Sequence, residues 1–209
     1  MVDYAKLHAD EVSDISAYLR GLSNEQWEHP SLCGEFTVRE VIGHMLAATD
    51  ASIWKVLRML PAAGFSIDRV IVTLAKERVD GRTSQELIAD FATHDPRRGL
   101  TRLFPLRSTF LERVVHHQDM RRPLAMPREI PEERLTAVLD VAVTGHNGVN
   151  SKKRATGLAL RATDVDWSQG DGPVVEGTGE AILMALCDRP VAIEDLSGDG
   201  VEVLQARLS

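Results

Sequence analysis

The chain has 209 residues, 44% of them hydrophobic, enough for one sizeable domain, or one with a small appendage, to bury a core without disulfides. Its net charge of -7, with acidic and basic residues interspersed, argues against a nucleic-acid partner, since the short clusters Arg121, Arg122, Arg128 and Lys152, Lys153, Arg154 make no extended footprint. No run approaches the roughly 20 apolar residues of a membrane span, the start MVDYAKLHADE has no apolar signal region, and Cys33 and Cys187 form no CxxC. A cytoplasmic protein with unlinked thiols, no membrane partner and a monomeric or homodimeric state is the expectation.

Leu7, Val12, Ile15 and Leu19 at helical spacing predict a first helix over residues 3–22. Ser23 with Gln26, Thr37 with Glu40 and Thr83 with Glu86 have the spacing of capping boxes and mark three further helix starts. The Thr37 box opens a long helix expected over residues 38–60 and stopped by Pro61; residues 65–79 read as another. The Thr83 box opens a helix carrying Leu87, Ile88, Phe91 and Leu100, broken by Pro105. STFLERVVHHQDMRR, ending before Pro123, and EERLTAVLDVAV after Pro131 complete the helical part. Beyond residue 150 the character changes. GLALRATD alternates like a strand, a turn covers Trp167 to Gly172, and PVVEG reads as a second strand. GEAILMALCDR and residues 200–207 are short helices. The fold class is therefore α+β, with a four-helix bundle over residues 1–150 and a small α+β domain over 151–209.

Glu112 and His116 are the sharpest local feature: four residues apart on one helix, they stack one turn apart and can ligate one metal ion. Asp119 leans the same way and could accept a hydrogen bond from a ligating imidazole. His44 is a candidate third ligand from another helix, and two nitrogens with one carboxylate suit zinc with an open position. The wheel also permits a bland reading. At about 100° per residue Glu112 and His116 fall outside the apolar arc of Phe110, Leu111, Val114 and Val115, as a solvated pair would. His44, at the margin of its helix's apolar stripe, reads by pattern alone more as a hydrogen-bonded core-edge residue than as a ligand. Cys33 reads as a structural thiol, His117 as facing elsewhere, His94 as a helix-end residue and His146 as part of a C-terminal cap region. His8 and His29 have no notable neighbours in sequence. Trp27, Trp54 and Trp167 read as packing residues, and GDGPVVEGTG lacks the pattern of a phosphate loop.

WEHPSLCGEFTVREVIGHMLAATD and FLERVVHHQDMRRPL resemble the mycothiol-dependent maleylpyruvate isomerase family, among the DinB-like metalloenzymes. The first segment places Trp27, Pro30, Ser31, Phe36, Thr37, Val38, Glu40 and His44 on the family pattern; the second places Glu112, His116 and Asp119. The resemblance implies a DinB-like four-helix bundle with a small C-terminal domain and a divalent metal, typically zinc, held by His44, Glu112 and His116, with Asp119 behind a ligating imidazole. It also implies mycothiol as co-substrate and a small electrophile as substrate, hence a transferase or isomerase. Phe36 stands where the family has Trp, and no arginine among Arg161, Arg189 and Arg207 sits in a diagnostic motif, which leaves the catalytic residues unassigned. Two other readings compete: a non-catalytic metal- or ligand-binding module of the same fold, and a metal-dependent hydrolase with Glu112 as base.

Overall fold

The computed structural model describes residues 2–145 and 150–208; His146 lies outside them. Packing divides the chain into two compact units, Asp3–Pro127 and Arg128–Ser209. The helix that the sequence reading groups with the bundle through residue 150 therefore packs with the C-terminal elements.

The first unit is built of helices: α1 (Tyr4–Arg20), α2 (Asn24–Trp27), α3 (Val38–Asp50), α4 (Ile53–Met59), α5 (Ile67–Val79), α6 (Ser84–Thr93) and α7 (Leu106–Arg121). α1 packs on α6 and α7, while α3 packs on α5, α6 and α7. All three capping boxes form, with both reciprocal hydrogen bonds, so the starts of α2, α3 and α6 are set by local sequence. The core between the helices holds Ile15, Leu19, Trp27, Ile42, Leu46, Leu87 and Phe91. Arg39 links its pieces: the guanidinium lies 5.3 Å from the centre of the Trp27 ring and donates to Glu28, the Arg82 carbonyl and Ser84.

Two expected helices end early. The helix expected over 38–60 breaks at Ala51, and Ser52 caps a new one. In a continuous helix the Ala48 carbonyl would accept from the Ser52 N–H; here it accepts from Leu100 at 3.0 Å. The helix begun by the Thr83 box stops at His94, because Pro96 keeps Asp95 out of the helical region, and Leu100 lies beyond it. Trp54, read as a packing residue, is 76% exposed.

The second unit contains α8 (Glu132–Thr144), α9 (Ser151–Ala155), β1 (Ala159–Ala162), β2 (Ser168–Gln169), β3 (Val174–Gly177), α10 (Gly179–Leu186) and α11 (Val201–Gln205). β1 is central, antiparallel to β2 with Leu160 opposite Gln169 and parallel to β3 with Leu160 opposite Val175. The short β2 falls within the segment read as a turn. α10 is buried along its length apart from Glu180, and its N-terminus is fixed by Gly179 N–H donating to Asp164 at 2.7 Å. Arg154 and Arg207 fasten the end of this unit by donating to backbone carbonyls; Arg154 also pairs with Asp188. No helix among the described residues is long and apolar enough to cross a membrane.

Gly43 lets α3 and α5 approach closely. A Cβ there would stand 2.4 Å from the Ala75 carbonyl oxygen and 2.7 Å from Val79 Cγ1. Gly43→Ala should lower stability by about 2 kcal/mol in urea denaturation, since overpacking against backbone outweighs the gain of about 1 kcal/mol in helix propensity.

Candidate metal centre

α7 carries most of the site and is buried on nearly every face. Ser108, Thr109, Arg113, His116, His117, Gln118 and Asp119 all lie below the surface, with only Glu112 in mid-helix substantially open, its side chain 34% exposed. The helical wheel misleads here: a helix enclosed all round needs no polar outer face, so polarity does not report exposure.

His116 is positioned from two sides. Its Nδ1 lies 2.9 Å from Asp119 Oδ2, whose carboxylate is wholly buried. Donation from Nδ1 to that carboxylate leaves the Nε2 lone pair for a ligand. Nε2 is buried without a hydrogen-bond partner and stands 3.1 Å from Glu112 Oε2. Two lone-pair-bearing atoms at that separation repel one another unless a proton or a metal ion is shared between them.

His44 approaches from α3, where the Thr37/Glu40 box sets the helix start two turns earlier. Its ring meets the His116 ring edge-on, centroids 5.1 Å apart, and Phe36 stacks on its other side at 5.6 Å. The structure thus brings His44, Glu112 and His116 together, one donor atom from each lying within 4.8 Å of the others. Asp119 stands behind His116, where a hydrogen-bond acceptor for a ligating imidazole is needed.

Cys33 joins this group, contrary to its reading as an isolated structural thiol. The loop before α3 closes on itself, with Ser31 Oγ donating to the Phe36 carbonyl at 2.7 Å and accepting from Cys33 N–H at 3.1 Å. Leu32 N–H donates to the Asp119 carbonyl at 3.0 Å, which pins the loop to α7. The half-buried Cys33 thiol then makes a second donor set with His116 and Asp119. Nothing in the sequence near Cys33 signals this, because the link to α7 is a backbone hydrogen bond across 87 positions (32 to 119).

The electrostatics follow from this arrangement. Burial, and then the neighbouring His116, push the His44 imidazole down to about 3, which keeps it neutral as a metal ligand requires. For His116, burial disfavours charge, but Cys33, Asp119 and Glu112 outweigh it and hold a proton well above the ordinary histidine range. Three groups that favour a cation surround one imidazole. Nearby, His117 Nδ1 meets Glu11 Oε1 at 2.7 Å, with both side chains fully buried, and Arg121 Nε donates to His117 Nε2 at 2.8 Å.

The fold class is α+β, a helical bundle followed by a small sheet-bearing unit. Residues 8–104 match the family described as the mycothiol maleylpyruvate isomerase N-terminal domain. Two crystal structures share the fold: that of the mycothiol-dependent maleylpyruvate isomerase and that of a histidine-to-alanine mutant of it. Their identities are 14% and 15%; each alignment covers 95% of this chain and 96% of the other, with a TM-score of 0.51. No curated protein matches the chain. The arginines left open from the sequence have local roles where contacts are seen: Arg207 donates to the Arg154 and Thr156 carbonyls, Arg189 to the Cys187 carbonyl, and Arg161 is exposed.

On another side of α7, burial and the neighbouring Arg113 lower His8 to about 3 and His94 to about 4 from an ordinary 6.5. The unfolded chain therefore binds protons on these residues more readily than the folded one. Their contribution to stability is intact above about pH 6.5 and is lost as pH falls from there towards 4 and then 3. Below pH 6.5, His8→Leu should flatten the dependence of unfolding free energy on pH by about one proton, read from urea titrations across the acid range.

Proposed function

We propose that the protein is a metal-dependent enzyme of the cytoplasm that activates a low-molecular-weight thiol such as mycothiol for S-transfer to, or cis-trans isomerisation of, a small electrophile. The observation that carries this reading is the convergence of His44, Glu112 and a buried, unpartnered His116 Nε2. The residues fit a divalent cation, and the N2O donor set suits zinc. Support for the thiol comes from the family match and from the similar structures, which are of a mycothiol-dependent isomerase. With metal and thiol bound, the chemistry supplied would be addition of a thiolate to an activated double bond, the thiol being released again for isomerisation or retained for transfer.

The chain's own residues have distinct tasks in this scheme. Asp119 holds the His116 tautomer, so that Nε2 faces the site as an acceptor. Phe36 restrains the His44 ring by stacking. Glu112 balances cationic charge and, with the half-buried His44, forms the open side through which ligands enter.

Purified protein should hold about one metal ion per chain, and His44→Ala and His116→Ala should each abolish that binding together with thiol-dependent turnover of maleylpyruvate. Asp119→Asn should retain the fold and weaken metal affinity by about 10- to 100-fold in competition with a chelator. Full metal content in both histidine variants, or loaded protein that never consumes thiol or electrophile, excludes the reading.

A further inference from the structure

α7 buries a second polar group with unmet capacity, separate from the three candidate ligands. Arg113 is 2% exposed, and among the described residues no carboxylate forms an ion pair with it. Its Nη2 donates to His94 Nε2 at 3.0 Å and, weakly, to the Met45 carbonyl at 3.4 Å; its face lies 5.4 Å from the centre of the Phe91 ring; its Nε has no partner. Neutral acceptors and a π-face partly solvate a guanidinium without neutralising it, and a buried unpaired cation is costly unless a counter-ion completes the site.

A cavity of about 380 Å³ has His8 and His94 on its wall, and Arg113, which is not part of that wall, stands behind His94. The two rings meet edge-on at 6.1 Å. His94 is committed at both nitrogens, to the Phe91 carbonyl and to Arg113. His8 is not: it is 4% exposed, and its Nε2 is buried without a partner. Arg97 stands at the rim as a second cation, its backbone N–H donating to Asp95 Oδ1 at 2.9 Å. The remaining wall is largely apolar, formed by Ala5, Val12 and Leu106 among others.

We propose that this cavity binds a small organic carboxylate. The acid group would be held by His8 and the rim arginine in the field of the buried Arg113, and its hydrocarbon part would lie against α1 and the start of α7. The chemistry selects this class over inorganic phosphate. A cationic end and an unsatisfied imidazole call for an oxyanion, and a wall of alkyl groups rewards an attached apolar body that phosphate lacks. Asp95 at the mouth, together with Asp50 near His94, disfavours multiply charged anions and points to a single carboxylate. None of His44, Glu112 and His116 lines this cavity.

The test uses the full chain with its histidines isotopically labelled, titrated at constant ionic strength with sodium isobutyrate, with sodium phosphate and with chloride alone. The imidazole resonances of His8 and His94 should shift saturably with isobutyrate, weakly with phosphate and not with chloride. Affinity for isobutyrate should fall at least about tenfold in His8→Leu and in Arg113→Met, and stay within about twofold in His44→Ala, which separates this site from carboxylate binding at a metal. Should Arg113→Met fail to fold, His8→Leu and the charge-removing Arg97→Gln decide the matter. No saturable shift, unchanged affinity in His8→Leu, or phosphate binding as tightly as isobutyrate overturns the proposal.

Discussion

The rest of the first unit is arranged around a helix that is polar and yet enclosed. Between Ser108 and Met120, α7 buries two serine or threonine hydroxyls, an arginine, two histidines, a glutamine and an aspartate. Each such group left without a partner costs about 1–3 kcal/mol, more if charged. Neighbouring elements are therefore committed to supplying partners: Glu11 on α1 for His117, Asp119 one turn on for His116, and His94 at the end of α6 for Arg113. Helix packing and polar pairing become one problem, and only arrangements that solve both bury α7.

Two of the exceptions on α7 are informative because so many of its groups are satisfied. Nε2 of His116 and Nε of Arg113 are buried without hydrogen-bond partners, as is Nε2 of His8 across from Arg113. The first faces a carboxylate and a second imidazole, as a cation site would require; of the others, Arg113 is a buried cation and His8 lines a cavity, as the proposed anion site would require. Glu112 and Arg113 are adjacent in sequence, and their side chains diverge by about 100° around the helix, so one helix carries residues of both proposed sites.

Precision at the candidate metal centre depends on devices away from it. The Thr37/Glu40 box fixes the start of α3, and the absence of a side chain at Gly43 sets how closely α3 rests on α5. Leu32 ties the preceding loop to the Asp119 carbonyl, so the residue that orients His116 through its side chain holds Cys33 in place through its backbone. A shift in any of these would move one candidate ligand relative to another without touching the ligands themselves.

Much was legible in the residues alone. Capping boxes are local, and all three formed where Ser23, Thr37 and Thr83 signalled them. The i,i+4 spacing of Glu112 and His116 sufficed to place them on one face, because helical periodicity is also local. What spacing left open was whether that face was wet or dry, since burial depends on what packs against it. The early end of α3 hinged on the Leu100 N–H claiming the Ala48 carbonyl, and the placing of Cys33 beside His116 on one hydrogen bond from Leu32. Both are contacts between segments distant in sequence. Sequence by itself determined most of the helices, the three starts marked by capping boxes and the candidate donors they carry; tertiary structure decided where two helices end, which donors meet, which are buried and which remain unsatisfied, because those properties belong to pairs of elements and to no single one.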